Sequence, residues 1–154
     1  MNRCVFSGRV TGQPRISRMK NESNTRVARY TLAVQRYWNL KKNVEVQQNE
    51  NPKTEGQKGD VDYIRCVAFG KNAEFVEKYL FRGIKIDVEG KLRTGRYRHK
   101  DSGEWIYTTE LVVDRHEFAE AKEKNDAMRK ALAFEDDDSS VVDITYPEDF
   151  EDFD

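Results

Sequence analysis

Residues 62–83 read DYIRCVAFGKNAEFVEKYLFRG, which is a short strand pattern followed at once by a short helix pattern. Side chains of a strand alternate between its two faces. One face is aromatic and cationic and carries Tyr63, Arg65, Val67 and Phe69. The other face is small and apolar and carries Ile64, Cys66 and Ala68. After them, apolar residues recur at helical spacing and Gly83 supplies a stop, so the pattern predicts a helix from Asn72 to Phe81.

Two strands are predicted before this stretch. The first runs from about Arg3 to Val10 and ends at the turn signal Thr11-Gly12-Gln13-Pro14. The second runs from about Arg26 to Trp38, where apolar and polar residues alternate with period 2. Residues 39–60 are polar and contain Pro52, Gly56 and Gly59, so we expect a long exposed hairpin loop.

A hairpin is predicted after the helix. The fourth strand, from Ile84 to Tyr97, turns alternate residues inward, and Gly90 and Gly95 indicate a bend or bulge. Residues 100–103 form the turn, and the fifth strand runs from Trp105 to Phe118. Five strands with one helix between the third and the fourth predict an all-β OB-fold barrel. An open sheet covered by the helix is the alternative.

Charge divides the chain into a basic body and an acidic end. Residues 1–118, the predicted barrel domain, carry a net charge of +8, whereas residues 119–154 carry −9. Residues 119–134 favour a weak helical linker. Residues 135–154 contain ten acids and no base, so we expect a disordered tail. This asymmetry indicates a body that binds a polyanion, joined to an acidic tail; the alternative is that both halves only carry solvated charged faces.

Several functional classes are disfavoured. No apolar run is long enough for a membrane helix and no secretory pattern opens the chain, so we expect a cytoplasmic protein. Cys4 and Cys66 lie far apart without a metal-ligand pattern and are predicted to be core residues. His99 and His116 have no nucleophile in sequence context, and Asp136-Asp137-Asp138 is better explained as a solvated run. We therefore expect no enzyme, no metal and no cofactor.

Rings and cations occur together at three places in the body. One is the aromatic face at 63–69, another is Trp38 near Lys41 and Lys42, and the third is a patch on the fourth strand. That patch comprises Arg93, Arg96, Tyr97, Arg98 and Lys100. Single-stranded nucleic acid is bound by cations along its backbone and by rings under its bases. The alternative is that Tyr63 and Phe69 are core and Arg65 only covers them.

Three segments resemble the bacterial single-stranded DNA-binding protein family. They are TLAVQRYW (31–38), residues 62–83 quoted above, and VEGKLRTGRY with YTTELVVD (88–97 and 107–114). The resemblance spans nearly all of residues 1–118. It implies an OB-fold, assembly as a homotetramer, and sequence-independent binding of single-stranded DNA in replication, recombination and repair, at the nucleoid.

The resemblance also implies the residues of the site. Base-stacking positions of the family fall on Trp38, Tyr63, Phe69 and Tyr97, and matching cations are Arg3, Arg65, Lys71, Arg93 and Arg96. Family members end in an acidic tail with a terminal aromatic that recruits replication and repair proteins. The corresponding residues here are Asp149, Phe150, Glu151, Asp152, Phe153 and Asp154, so the last residue is an acid instead of an aromatic.

Two further binding proteins remain as alternatives at this point. One is a dimeric OB-fold adapter of replication restart, which the acidic, phenylalanine-containing tail disfavours. The other is an RNA-binding cold-shock-like module, which is shorter and lacks a helix at this position.

Overall fold

The computed structural model describes residues 1–36 and 61–135. In chain order the elements are β1 (Cys4–Val10), β2 (Arg15–Arg18), β3 (Arg26–Gln35), β4 (Val61–Phe69), α1 (Lys71–Tyr79), β5 (Lys85–Arg98), β6 (Trp105–Phe118) and α2 (Lys122–Glu135). The loop predicted over residues 39–60, the end of the second predicted strand at Trp38, and residues 136–154 of the predicted acidic tail lie outside these ranges. Glu135, predicted as the first residue of the disordered tail, is the last residue of α2.

The sheet closes into a ring. Its strand order is β1-β5-β6-β4-β3-β2, and β1 also pairs with β3 through Arg9 opposite Ala33 and Val10 opposite Leu32. The strands are antiparallel except for β4 and β6, which pair in parallel. Closure confirms the predicted OB-fold barrel, and the open-sheet alternative is wrong. A Cβ on Gly8 would lie 2.3 Å from the carbonyl oxygen of Ala33, so only glycine permits this approach of β1 to β3.

A short strand that the sequence analysis did not predict lies beside the barrel. Strand β2 pairs with residues 26–29 of β3 and is exposed along its whole length. Ile16 is its only aliphatic residue, so it has no buried face to produce an alternating pattern. Because β2 adds one strand before the helix, the helix predicted between the third and fourth strands lies between β4 and β5.

The core contains the inward residues that the alternation predicted. These are Tyr30 and Leu32 of β3 and Ile86 and Val88 of β5; Leu111 of β6, which was not assigned to a face, is buried as well. Both cysteines are free. Cys66 is buried in the core and Cys4 packs against it half-buried, as predicted. Burial raises the pKa of the Cys66 thiol to about 12.

Helix α1 lies over one end of the barrel. It begins at Lys71 and ends at Tyr79, two residues before the predicted end, because Leu80 is extended at φ −90° and ψ 137°. The extended backbone lets Leu80 and Phe81 turn into the core. Gly83, at φ +94°, then donates its N–H to the carbonyl oxygen of Val10 over 2.7 Å and leads into β5.

Helix α2 returns to this end of the barrel. Met128 and Leu132 pack against the core, and the guanidinium of Arg129 lies 4.9 Å from the ring centroid of Phe81. A weak helix was predicted over residues 119–134; the observed helix begins at Lys122 and ends at Glu135. Over the described ranges, the chain contains no helix that is long and apolar enough to span a membrane.

Candidate nucleic-acid interface

The outer face of β4 exposes an aromatic ring next to a cation. Tyr63 is 66% exposed, and Arg65, two residues further on the same face, is also exposed. Opposite them on β3 are Ala33 and Thr31, whose small side chains leave both groups uncovered. The ring of Tyr63 therefore lies in solvent, which excludes the alternative that it belongs to the core.

The same face continues with Val67 and Phe69. Val67 is fully buried and lies between Arg29 of β3 and Val112 of β6 in the sheet. Phe69 is half-buried and ends the strand. On the opposite face, Cys66 and Ala68 are buried in the core and Ile64 packs against it. The predicted division of β4 into an aromatic, cationic face and a small, apolar face is therefore observed.

Arg93 of β5 is held close to Phe69. Its guanidinium carbon lies 5.8 Å from the ring centroid of Phe69, and its Nη2 donates to Oε2 of Glu110 over 3.1 Å. Glu110 faces Arg93 across the hairpin, and its side chain is only 9% exposed. A buried carboxylate that accepts from a guanidinium restricts the cation to one position. Phe69 and Arg93 thus form an ordered pair of a ring and a cation.

The β5–β6 hairpin divides the remaining predicted residues between its two faces. Tyr97 is half-buried and lies on the same face as Arg93, because the two residues are four positions apart along the strand. Arg96 lies on the opposite face, where its guanidinium carbon is 4.4 Å from the ring centroid of Trp105. The structure therefore places Arg93 and Tyr97 on one face of the hairpin and Arg96 on the other.

Two other predicted cations lie at the margins of this surface. Lys71 is exposed at the first position of α1, two residues after Phe69. Gly70 between them has φ +57°, a conformation that glycine adopts readily, and this lets the chain turn directly from strand to helix. Arg3 precedes β1 and forms an ion pair with Glu89 of β5, with its own side chain 69% exposed.

The remaining predicted residues are not described. Trp38 and the tail residues 149–154 lie outside the described ranges. Within those ranges, no group of three or more His, Cys, Asp or Glu side chains is arranged to hold a metal ion. The described surface therefore contains three predicted rings, Tyr63, Phe69 and Tyr97, beside several cations.

Comparison with known proteins identifies the family. Residues 1–119 match the profile of the Single-strand binding protein family, which covers more than half of the chain. The chain belongs to this family. A single-stranded DNA-binding protein of Clostridium perfringens is 36% identical over 121 residues, which are 79% of this chain and 67% of that protein. One of Staphylococcus aureus is 33% identical over 129 residues, which are 84% and 72% of the two chains.

A third relative in the single-strand binding protein family comes from Fusobacterium nucleatum. It is named a single-stranded DNA-binding protein and is 34% identical over 122 residues, which are 79% of this chain and 69% of that protein. The family match ends at residue 119, close to the end of β6 at Phe118.

Two residues of β6 were missed in the sequence analysis. Glu110 was not singled out, although an acid directly before the apolar run 111–113 must be paired if it is buried. Trp105 was assigned only as the start of a strand. Pairing the hairpin outward from its turn puts Arg98 opposite Trp105 and Arg96 opposite Tyr107. This register could have predicted from the sequence that Arg96 and Arg98 lie close to Trp105.

Proposed function

We propose that this chain binds single-stranded DNA without reading its sequence. Bases stack on exposed rings, and phosphates contact the neighbouring arginine and lysine side chains. The observation that carries the proposal is the exposed ring of Tyr63 beside the exposed guanidinium of Arg65 on the outer face of β4. The names of the relatives, which are single-stranded DNA-binding proteins, support it.

Tyr63 has little structural role in the barrel. A large ring that is two-thirds exposed adds little to the core, yet keeping its apolar surface in water is unfavourable. A base stacked on such a ring contributes roughly 1–3 kcal/mol, and every base has a face that can stack. Binding through rings and phosphates is therefore tolerant of sequence.

The path of the strand follows from the positions of the rings. Tyr63 and Phe69 mark the two ends of the outer face of β4, and Arg93 extends it onto β5. Tyr97 continues the surface towards the hairpin turn. Arg65 supplies charge along this line, and Lys71 and Arg3 supply it at the margins. Arg96 contributes from the opposite face of the hairpin. We assign Trp38 to the same site from the family resemblance alone.

The wider role is also part of the proposal. We infer that the protein acts in replication, recombination and repair as a non-enzymatic homotetramer. The chain divides into a binding domain over residues 1–118, a linker over 119–134 and a tail over 135–154. Within the tail, residues 149–154 recruit partner proteins. The acids and phenylalanines of the tail support this assignment, which rests on the resemblance.

A titration tests the proposal. The full chain is titrated with labelled dT oligomers, with dA oligomers and with a duplex of equal length, at low and moderate salt. We expect strong preference for either single strand over the duplex, and affinity that falls as salt rises. Equal binding to duplex and single strand, or no binding, would contradict the proposal.

A further inference from the structure

A second cluster of rings and cations lies on the other face of the β5–β6 hairpin. We call it the Trp105 cluster; its members are Trp105, Tyr107, Arg96 and Arg98. The guanidinium carbons of Arg96 and Arg98 lie 4.4 Å and 5.0 Å from the ring centroid of Trp105. Both distances fall within the range of a cation–π contact. The two arginines are therefore gathered around one indole.

The Trp105 cluster is open to solvent. Trp105 is 45% exposed and Tyr107 is 73% exposed, and both arginines are exposed. Within the described part of the chain, neither Arg96 nor Arg98 forms a salt bridge with a carboxylate. Among the described residues, no carboxylate therefore forms an ion pair with these two charges, and the exposed rings have area left to contact a ligand. A flexible polyanion with flat bases matches both properties.

The end of the β5–β6 hairpin extends beyond the pairing of its strands with the rest of the described sheet. β1 pairs with β5 only as far as Gly90, and β4 pairs with β6 only at Leu111 and Val112. Among the described strands, residues 93–98 and 105–110 therefore pair only with each other. Arg96 and Tyr97 are consecutive, so their Cα atoms are about 3.8 Å apart while their side chains point to opposite faces.

We propose that the Trp105 cluster is an additional contact for single-stranded DNA. The strand crosses the edge of the hairpin after Tyr97 and stacks a base on Trp105, with Arg96 and Arg98 on the adjacent phosphates. This inference rests on the proposed function and extends it to the opposite face of the hairpin. It also gives Arg96 a place in the site, although Arg96 lies away from Arg93.

Fluorescence of Trp105 tests the contact directly. The chain has two tryptophans, so Trp38→Phe leaves Trp105 as the only indole and keeps a ring at position 38. We expect saturating dT oligomer to quench the emission of Trp105 in step with binding measured by anisotropy of the labelled DNA. Unchanged emission at saturation would overturn the proposal.

Affinity measurements separate stacking from folding. We expect Trp105→Ala to weaken dT binding by roughly 5- to 100-fold, and Trp105→Phe to retain most of the affinity. The matched control is Tyr79→Ala, because Tyr79 is also 45% exposed but lies on α1 beside Phe118. Replacing both arginines with Gln should lower the slope of log affinity against log salt by about 1.4.

Three further outcomes distinguish a failure of this inference from a failure of the proposed function. If Trp105→Ala binds like the unmodified chain while Tyr63→Ala does not, then this inference is wrong and the proposed function stands. If the unmodified chain does not bind single strands, the proposed function itself is wrong. If Trp105→Ala changes the sedimentation of the DNA-free protein, the cluster is an interface between copies of the chain and the inference is overturned.

Discussion

The hydroxyl of Tyr30 lies 2.8 Å from Nε2 of His116, at the end of the barrel that α1 covers. The His116 ring also stacks on Phe75 of α1, with ring centroids 5.1 Å apart. Its Nδ1 is buried and has no hydrogen-bond partner in the part of the chain that the structure describes. Because these surroundings disfavour a charged ring, burial lowers the pKa of His116 to about 4.

This lowered pKa predicts a loss of stability in mild acid. Between pH 6.5 and pH 4 the unfolded chain binds a proton at His116 that the folded chain does not, so acid favours unfolding. The loss of folding free energy from His116 is absent above pH 6.5 and reaches roughly 3 kcal/mol near pH 4. We expect His116→Gln to show a flatter pH profile of the free energy of unfolding in urea. If the unmodified chain and His116→Gln lose stability in parallel between pH 6.5 and pH 4, the acid sensitivity does not come from His116.

Tyr63 is expected to matter for DNA binding and hardly at all for folding. Tyr63→Ala should weaken dT binding by roughly 1–3 kcal/mol, because one stacked base is lost. Tyr63→Phe should bind almost normally, since the ring is kept. Thermal unfolding of both variants should match the unmodified chain, because the side chain is 66% exposed. Intact binding by folded Tyr63→Ala would show that the site lies elsewhere.

Closure of the barrel is predicted to depend on Gly8. A Cβ there would lie 2.3 Å from the backbone oxygen of Ala33, and backbone cannot move aside as a flexible side chain can. We expect Gly8→Ala to reduce the free energy of unfolding by about 1–3 kcal/mol or more. Gly12→Ala is the control, because no atom lies within 4 Å of its added Cβ, and its effect should stay within about 0.5 kcal/mol. Equal effects in urea unfolding would refute this account of closure.

The acidic tail is predicted to compete with DNA for the basic surface. Removing residues 135–154 removes ten acids and should raise dT affinity, most strongly at low salt, where charges are least screened. A full-length variant with these ten acids changed to Asn or Gln should behave like the truncation. If affinity at low salt is the same with and without the tail charges, there is no competition.

The alternation of apolar and polar residues along the strands is what made much of the fold and the site predictable from the sequence. It identified the buried residues of β3 and β5 and the division of β4 between Cys66 and its aromatic neighbours. It could not reveal β2, whose place depends on backbone hydrogen bonds to β3 and not on a buried face. The end of α1 also differed, because tertiary packing draws Leu80 and Phe81 inward and overrides their helical spacing.

Within the site, adjacency in sequence was less informative than register. Arg93, Arg96 and Tyr97 were grouped as one patch because they are close along the chain. In a strand, residues an odd number apart lie on opposite faces, so Arg96 faces Trp105 instead of Phe69. The role of Glu110 in holding Arg93 depends on cross-strand pairing, which no local pattern encodes.

Photo-crosslinking tests most directly whether bases stack on the outer face of the barrel. A dT oligomer containing 5-iodo-deoxyuridine is bound to the full chain, irradiated, and the modified peptides are mapped by mass spectrometry. We predict crosslinks at Tyr63, Phe69 and Tyr97, and few when the same oligomer is annealed to its complement. Crosslinks confined to Tyr79 and Phe118, or equal yields from the duplex, would contradict the account.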